Sequence, residues 1–170
     1  MPLNLSISIA DVRDARELVA LGTAVAHDMT RQFGEGGWSN VPVKDDVVGQ
    51  VSASRVLVAR RDAELIGTVR LARAVPWAID SSAFTPVEKA LYVLGLAVAP
   101  AARGQGVGRQ LMDAAKGAAR AESAGALWLD AYEHVAGAGP FYMKCGFRQV
   151  GRTSYKQVPL VYYEWLVKQE

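Results

Sequence analysis

Apolar and polar residues alternate from Leu3 to Ile9 (Leu3, Leu5, Ile7, Ile9), the period of a half-buried strand. Asp11 and Asp14 follow as N-cap candidates, and Leu18, Leu21 and Val25 then recur at helical spacing. Gly34 to Asn40 reads as a loop by composition, and Val41 to Ser52 as a short helix. Two β-rich runs, Arg55 to Arg61 and Leu65 to Ala72, flank Arg61-Asp62-Ala63-Glu64 and predict a hairpin. Ala74 to Glu88, with two prolines, Trp77 and Phe84, predicts an ordered loop of the kind that is often functional.

The second half is more strongly patterned. Leu91 to Ala99 is almost wholly apolar, as a central buried strand is. Gly104 to Ala124 predicts a helix with Val107, Leu111, Ala115 and Ala118 on one face and Gly125 as its stop. Leu127 to Ala131 is the next strand, Ala138 to Lys144 a short helix ended by Gly146, and Arg148 to Val150 and Val161 to Lys168 the last strands. No repeat, low-complexity tract or linker interrupts this order, so residues 1–170 read as a single α/β domain.

Composition narrows the function. The 170 residues are half apolar and one-fifth charged, with a formal net charge of +2. That balance lacks the basic stripe that nucleic-acid binding requires. Cys145 is the only cysteine, which excludes an intrachain disulfide and a cysteine metal cage. The two histidines, His27 and His134, are too few for a typical zinc site. With no basic-then-apolar leader and no apolar run long enough to span a bilayer, the expectation is a soluble cytoplasmic protein without metal, nucleic-acid or membrane partner.

The informative chemistry lies in Leu94 to Arg109, which reads strand, tight turn, helix start. The first amides of a helix lack internal acceptors, and the macrodipole makes that end electropositive. Gly104, Gly106 and Gly108 remove Cβ atoms and let a phosphate approach the backbone, and Arg103 and Arg109 add positive charge. A P-loop would need Gly-Lys-Ser/Thr, but Arg109 and Gln110 follow Gly108. A dinucleotide fingerprint has Asp130 in its favour, at a suitable distance to hold a ribose. Against it, the glycines are spaced Gly-x-Gly-x-Gly, and Pro100 to Arg103 separate them from the strand.

Arg103-x-x-Gly106-x-Gly108 resembles the (Gln/Arg)-x-x-Gly-x-(Gly/Ala) signature of the GNAT acetyltransferases, with the apolar strand and Pro100 before it also in place. Ala138-Gly139-Pro140-Phe141-Tyr142-Met143-Lys144-Cys145-Gly146-Phe147 is similar to that family's Ala-x-x-Phe-Tyr-x-x-x-Gly-Phe helix and turn. One departure is Val135, seven residues before the tyrosine, where the family often has Asn to contact the pantetheine arm. The resemblance implies a mixed, mostly antiparallel α/β (α+β) sheet flanked by helices, with a central strand splay that holds acetyl-CoA. It further implies that Gly104, Gln105, Gly106, Val107, Gly108 and Arg109 hold the pyrophosphate with Arg103 beside them. Leu96 and Val98 would pair with the pantetheine amides like an added strand, and Ala138 would border the cofactor.

Tyr142 matches the family tyrosine beside the thioester sulfur, where a phenol can donate a hydrogen bond or a proton to the departing thiolate. A base must also take a proton from the attacking amine. Asp130, Glu133, Glu88 and Tyr92 are candidates, and Asp130, expected at a strand end beside the splay, leads them. Trp38, Trp77 and Phe84 fall in loops that in this superfamily shape the acceptor pocket. The reading is transfer from acetyl-CoA to a small-molecule or peptide amine. An O-acyltransferase and a non-catalytic acyl-CoA sensor share its cofactor features. Superfamily members often dimerise through their last strands, so Leu160 to Val167 also raises the expectation of a homodimer.

Overall fold

The computed structural model describes residues 4–168, so Leu3, the first position of the alternating run, lies outside the described residues. The strands are β1 (Leu5–Ile9), β2 (Arg55–Arg61), β3 (Glu64–Ala72), β4 (Ala90–Val98), β5 (Ala126–Tyr132), β6 (Arg148–Tyr155) and β7 (Val158–Leu166). The helices are α1 (Ala15–Phe33), α2 (Lys44–Ala53), α3 (Val107–Ala121) and α4 (Gly139–Lys144). The strands follow the order β1-β2-β3-β4-β5-β7-β6 in one seven-stranded sheet. β4 and β5 pair in parallel, whereas β1 with β2, β2 with β3, β5 with β7 and β6 with β7 are antiparallel. The chain divides into two compact units, the first formed by the chain up to Leu71 with Leu94–Ala115, the second by Ala72–Val93 and the chain from Lys116.

In the first unit, Asp11 caps a short 3-10 turn and shares a reciprocal capping box with Asp14. Helix α1 follows and buries Leu18 and Leu21, and α2 adds Val47; these pack with Val56, Val58 and Leu65 of the hairpin. The tight turn of that hairpin puts Asp62 at φ 56°, which aspartate tolerates better than most residues. Gly67 of β3 faces α3: a Cβ there would stand 2.9 Å from Val107 and 3.0 Å from Leu111. The missing side chain lets the helix lie close on the strand.

In the second unit, alternation along β5 puts Leu127 and Leu129 on one face and Trp128, Asp130 and Tyr132 on the other. The register continues this into β7, where Leu127 pairs with Trp165, Leu129 with Tyr163 and Asp130 with Tyr162. Lys116 and Arg120 of α3 lie over the Trp165 ring, and Tyr142 of α4 meets Tyr163 at 6.2 Å between centroids. The opposite face is roofed by the 73–89 loop: Phe84 stacks on Trp128 at 4.5 Å, and Tyr162 Oη donates to Ala78 O at 2.5 Å. Glu164 is fully buried there, accepting from the Thr85 amide and hydroxyl and from Arg148.

Several boundaries differ from the sequence expectation, most of them by a few residues. Helix α3 starts at Val107 rather than Gly104, because Gly104 (φ 75°) and Gly106 (φ 85°) adopt left-handed backbone that no α-helix uses. It ends at Ala121, with Ser123 at φ 57° making the turn assigned to Gly125. Gly125 instead packs against Val87, 3.0 Å from where its Cβ would be. The last two strands form one long hairpin through Lys156 (φ 49°) and Gln157 (φ 66°), a tight turn without its usual asparagine or glycine. β7 thus lies between β5 and β6, and the apolar run from Leu160 to Tyr163 is buried within the sheet.

Candidate functional site

The glycine turn of the first unit is built around unsatisfied backbone. Gln110 N, bonded to Gly106 O at 3.1 Å, makes the first helical bond of α3. Among the described residues the amides from Gly104 to Arg109 have no acceptor. A Cβ on Gly104 or Gly106 would meet nothing within 4 Å, so both glycines face open space. Open left-handed glycines and a row of partnerless N–H groups at the positive end of a fifteen-residue helix suit a diphosphate. The residues fit the pyrophosphate of a CoA.

Arg103, expected as a charge beside the phosphates, has an acidic partner in the same unit. Its Nη1 donates to Asp28 Oδ2 of α1 at 2.5 Å, and Asp28 also accepts from Arg31 and Gln32. Hydrogen bonds from Arg31 and Arg103 hold the Asp28 carboxyl below the usual carboxylate range. Gln105 Oε1 accepts from Arg61 Nη1 at 2.6 Å, so its side chain braces the turn against β2. Arg109 and Gln105 are exposed, and Val107 is buried under the turn.

Leu96 and Val98 lie in the last part of β4, beyond Gly95, whose φ of 61° breaks the extended strand. The parallel register of β4 with β5 runs from Ala90–Ala126 to Tyr92–Trp128, upstream of that break. Sequence reading missed Gly95, although an isolated glycine inside a strand pattern is itself a signal for a bulge.

In the second unit Ala138 is the N-cap residue of α4, and its carbonyl accepts from Tyr142 N at 3.1 Å. Tyr142 is 7% exposed among Phe141, Phe147 and Tyr163. Burial, then the nearby charges of Asp130 and Cys145, push its phenol far above the ordinary tyrosine range. It therefore stays protonated at neutral pH, able to give a proton and unable to act as a base. Asp130 sits mid-strand rather than at the strand end, and burial raises its carboxyl above the ordinary range. Its own backbone amide is the group that opposes this rise, and among the described residues no cation does.

The other candidates are used differently. Glu133 pairs with Arg152 at 3.0 Å, Glu88 is exposed, and Tyr92 is buried against Trp128. Cys145 is buried in the turn after α4, and its carbonyl accepts from Lys116 Nζ at 2.5 Å. His27 is exposed on α1, and His134 Nδ1 accepts from Ala136 N at 2.9 Å. Val135, in place of the family asparagine, is 81% exposed. The glycines that follow are packing necessities: a Cβ on Gly137 would strike Tyr132 O, and one on Gly139 the Tyr163 hydroxyl. Among the described residues no cluster of His, Cys, Asp or Glu could hold a metal, and no helix is long and apolar enough to cross a membrane.

Asp28 was missed by sequence reading, because its partner stands 75 residues away and no local spacing joins them. Gly67 was missed for the same reason, its neighbours being on α3.

Comparison with solved structures finds the same fold in several acetyltransferases. The ribosomal-protein-alanine N-acetyltransferase of Brucella melitensis superposes with a TM-score of 0.73 at 17% identity, over 95% of this chain and 99% of that one. An N-acetyltransferase of Staphylococcus aureus Mu50 gives 0.70 at 16% identity, covering 97% and 99%. The paia N-acetyltransferase of Thermoplasma acidophilum, solved in complex with coenzyme A, gives 0.70 at 15% identity, covering 93% and 97%. No curated protein sequence matches. The model of the acetyltransferase (GNAT) family matches residues 23–147, which include the glycine turn, Asp130 and Tyr142. On that match, over most of its length, the chain belongs to the acetyltransferase (GNAT) family.

Proposed function

We propose that the protein transfers an acetyl group from acetyl-CoA to a primary amine. The observation that carries this reading is the row of partnerless amides from Gly104 to Arg109 behind two open left-handed glycines, inside the family-matched segment. Coenzyme A in the Thermoplasma acidophilum relative supports the same cofactor here. When bound, acetyl-CoA would supply an acyl carbon activated as a thioester.

The chain's own residues supply positioning and proton handling. The amides of Gly104, Gln105, Gly106, Val107, Gly108 and Arg109 bind the pyrophosphate, while Arg103, tied to Asp28, stiffens the turn beside them. Leu96 and Val98 offer backbone groups to the pantetheine amides, and Ala138 borders the arm. Asp130, with a carboxyl made more basic by burial, takes the proton of the attacking amine. Tyr142 keeps its phenolic proton at neutral pH and donates a hydrogen bond from Oη toward the departing sulfur.

Release of free CoA thiol from acetyl-CoA across a panel of amines and alcohols tests the reading. Turnover with an amine supports it. Turnover with alcohols alone shifts the assignment to O-acylation, and tight acetyl-CoA binding without any turnover shifts it to an acyl-CoA sensor. No effect of acetyl-CoA on the melting temperature removes the cofactor assignment itself.

A further inference from the structure

We infer that the acceptor is a monoamine with a flat, apolar body, its ammonium met by Asp130 and its body by Trp77. This rests on the amine-transfer reading and adds a substrate class to it. Both residues belong to the second unit, and the chain of contacts between them is short. Asp130 pairs with Tyr162 across the β5–β7 register. The Tyr162 hydroxyl donates to Ala78 O and accepts from Asp80 N at 3.0 Å, which pins the loop segment next to Trp77 over the Asp130 face.

Charge sets the number of amines. In this unit Glu133 is paired with Arg152, Glu164 with Arg148, and Glu122 with Arg73. Asp80 accepts from the amide and hydroxyl of Ser82. Glu88 precedes the Ala90–Ala126 pair, which itself lies four residues, about 13 Å along the strand, from Asp130. Among the described acids of this unit, Asp130 is thus the half-buried carboxylate left without a cation partner. A polyamine or aminoglycoside brings several ammonium groups and would leave all but one without a carboxylate.

The surroundings set the body. Trp128 and Tyr132 flank Asp130 on the same face of β5, and Phe84 covers Trp128. Among the described residues, Trp128 Nε1 is a buried side-chain polar atom with no hydrogen-bond partner, a second unmatched group on this face. The loop aromatics differ sharply in use. Trp38 donates its Nε1–H to Gly34 O and Phe84 is 4% exposed, whereas Trp77 is 92% exposed. Val75, two residues before it, is 55% exposed as well. A bare indole next to a segment pinned to this face is suited to stack on a ring or to meet an ammonium through its π face.

The test compares 2-phenylethylamine, spermidine and a short peptide with a free N-terminal alanine, in thiol release and in calorimetric titration of the protein with and without CoA. The expected result is a kcat/KM for 2-phenylethylamine at least about tenfold above that for the other two, a difference of about 1.4 kcal/mol. Trp77→Ala should raise the KM for 2-phenylethylamine about tenfold, by more than any change in kcat, with the KM for acetyl-CoA unmoved. A melting curve matching the wild type is the folding control. A preference for spermidine or the peptide, or a 2-phenylethylamine KM unmoved by Trp77→Ala, overturns the inference. The binding arm keeps the two readings apart. If no amine turns over, 2-phenylethylamine heat that is lost in Trp77→Ala still supports the recognition site, and its absence in the wild type removes it. Failure of acetyl-CoA to bind strikes the cofactor reading alone.

Discussion

The glycine turn of the first unit and the Asp130–Tyr142 region of the second do opposite things with polar groups. In the turn the side chains of Arg103 and Gln105 have partners, Asp28 and Arg61, while the backbone is left open. Around Asp130 and Tyr142 the backbone is satisfied by strand pairing and by α4, while the side chains are half-buried or buried without a charged partner. A backbone site tolerates many side chains but not a change of chain geometry. A side-chain site holds its geometry easily but keeps groups that folding alone would pair or neutralise.

The largest effect should follow from breaking the backbone site. In Gly106→Trp, a residue at φ 85° must carry a Cβ and an indole into the space the pyrophosphate needs. Loss of two or more charge-assisted hydrogen bonds, at about 1.5–3 kcal/mol each, predicts acetyl-CoA binding weaker by roughly a hundredfold or more. Calorimetric titration with acetyl-CoA measures it. Retained affinity would mean that the open amides are not the phosphate site.

Asp130→Asn comes next and tests the other half of the contrast twice. Without its base, kcat should fall about 10²–10⁴-fold with acetyl-CoA affinity unchanged. Stability should move the other way. Burial raises the folded-state pKa of Asp130, so the folded state binds the proton more tightly than the unfolded one. Stability therefore falls as pH rises from the ordinary aspartate value through the raised one, and the loss persists at neutral pH. Asn cannot lose that proton, so the variant should melt above the wild type at neutral pH and alongside it in acid. A lower melting temperature at neutral pH would show that the carboxylate is structurally stabilised after all.

These two predictions also mark how far the sequence could be read. Strand, turn and helix from Leu94 to Arg109 are local, and the demand for glycine where φ is positive leaves a mark in the residues themselves. The same holds for α4 and its Gly146 stop at φ 90°. The α3 start was misplaced because composition cannot distinguish a left-handed glycine from a helical one such as Gly108. The β6–β7 hairpin stayed half hidden because Lys156 and Gln157 carry no turn signature. Asp28 on Arg103, the tether from Tyr162 to Ala78 and the solitude of Asp130 are tertiary facts. They join residues 75, 84 and 32 or more positions apart, the last being the separation Asp130 has from its strand partner Tyr162.

Tyr142→Phe should act more weakly than Asp130→Asn. A thiolate is a fair leaving group even without full protonation, so a loss in kcat of about tenfold is expected at unchanged acetyl-CoA affinity. Because burial keeps the phenol protonated, the wild-type rate should show no decline from its ionisation near neutral pH. Single-turnover thiol release at several pH values reads both. An unchanged rate in the variant would leave Tyr142 as packing against Phe147 and Tyr163.

The smallest effect on function should come from Asp28→Asn, and it is the sharpest probe of the difference between the two regions. Asp28 reaches the turn only through Arg103, so removing its charge loosens a brace and leaves the amides of Gly104 to Arg109 in place. Acetyl-CoA affinity should change by no more than about threefold, under 1 kcal/mol. The pH dependence of stability should be the reverse of that for Asp130. Hydrogen bonds from Arg31 and Arg103 lower the folded-state pKa of Asp28, so its contribution is present above the ordinary aspartate value and is lost as pH falls through the lowered one. The variant should therefore melt below the wild type at neutral pH and converge with it in acid, as Asp130→Asn converges from above. Calorimetric titration and melting curves across pH measure the two together. A loss of affinity approaching that of Gly106→Trp would mean that the turn depends on a side-chain charge, and the division between an open backbone site and an open side-chain site would not hold.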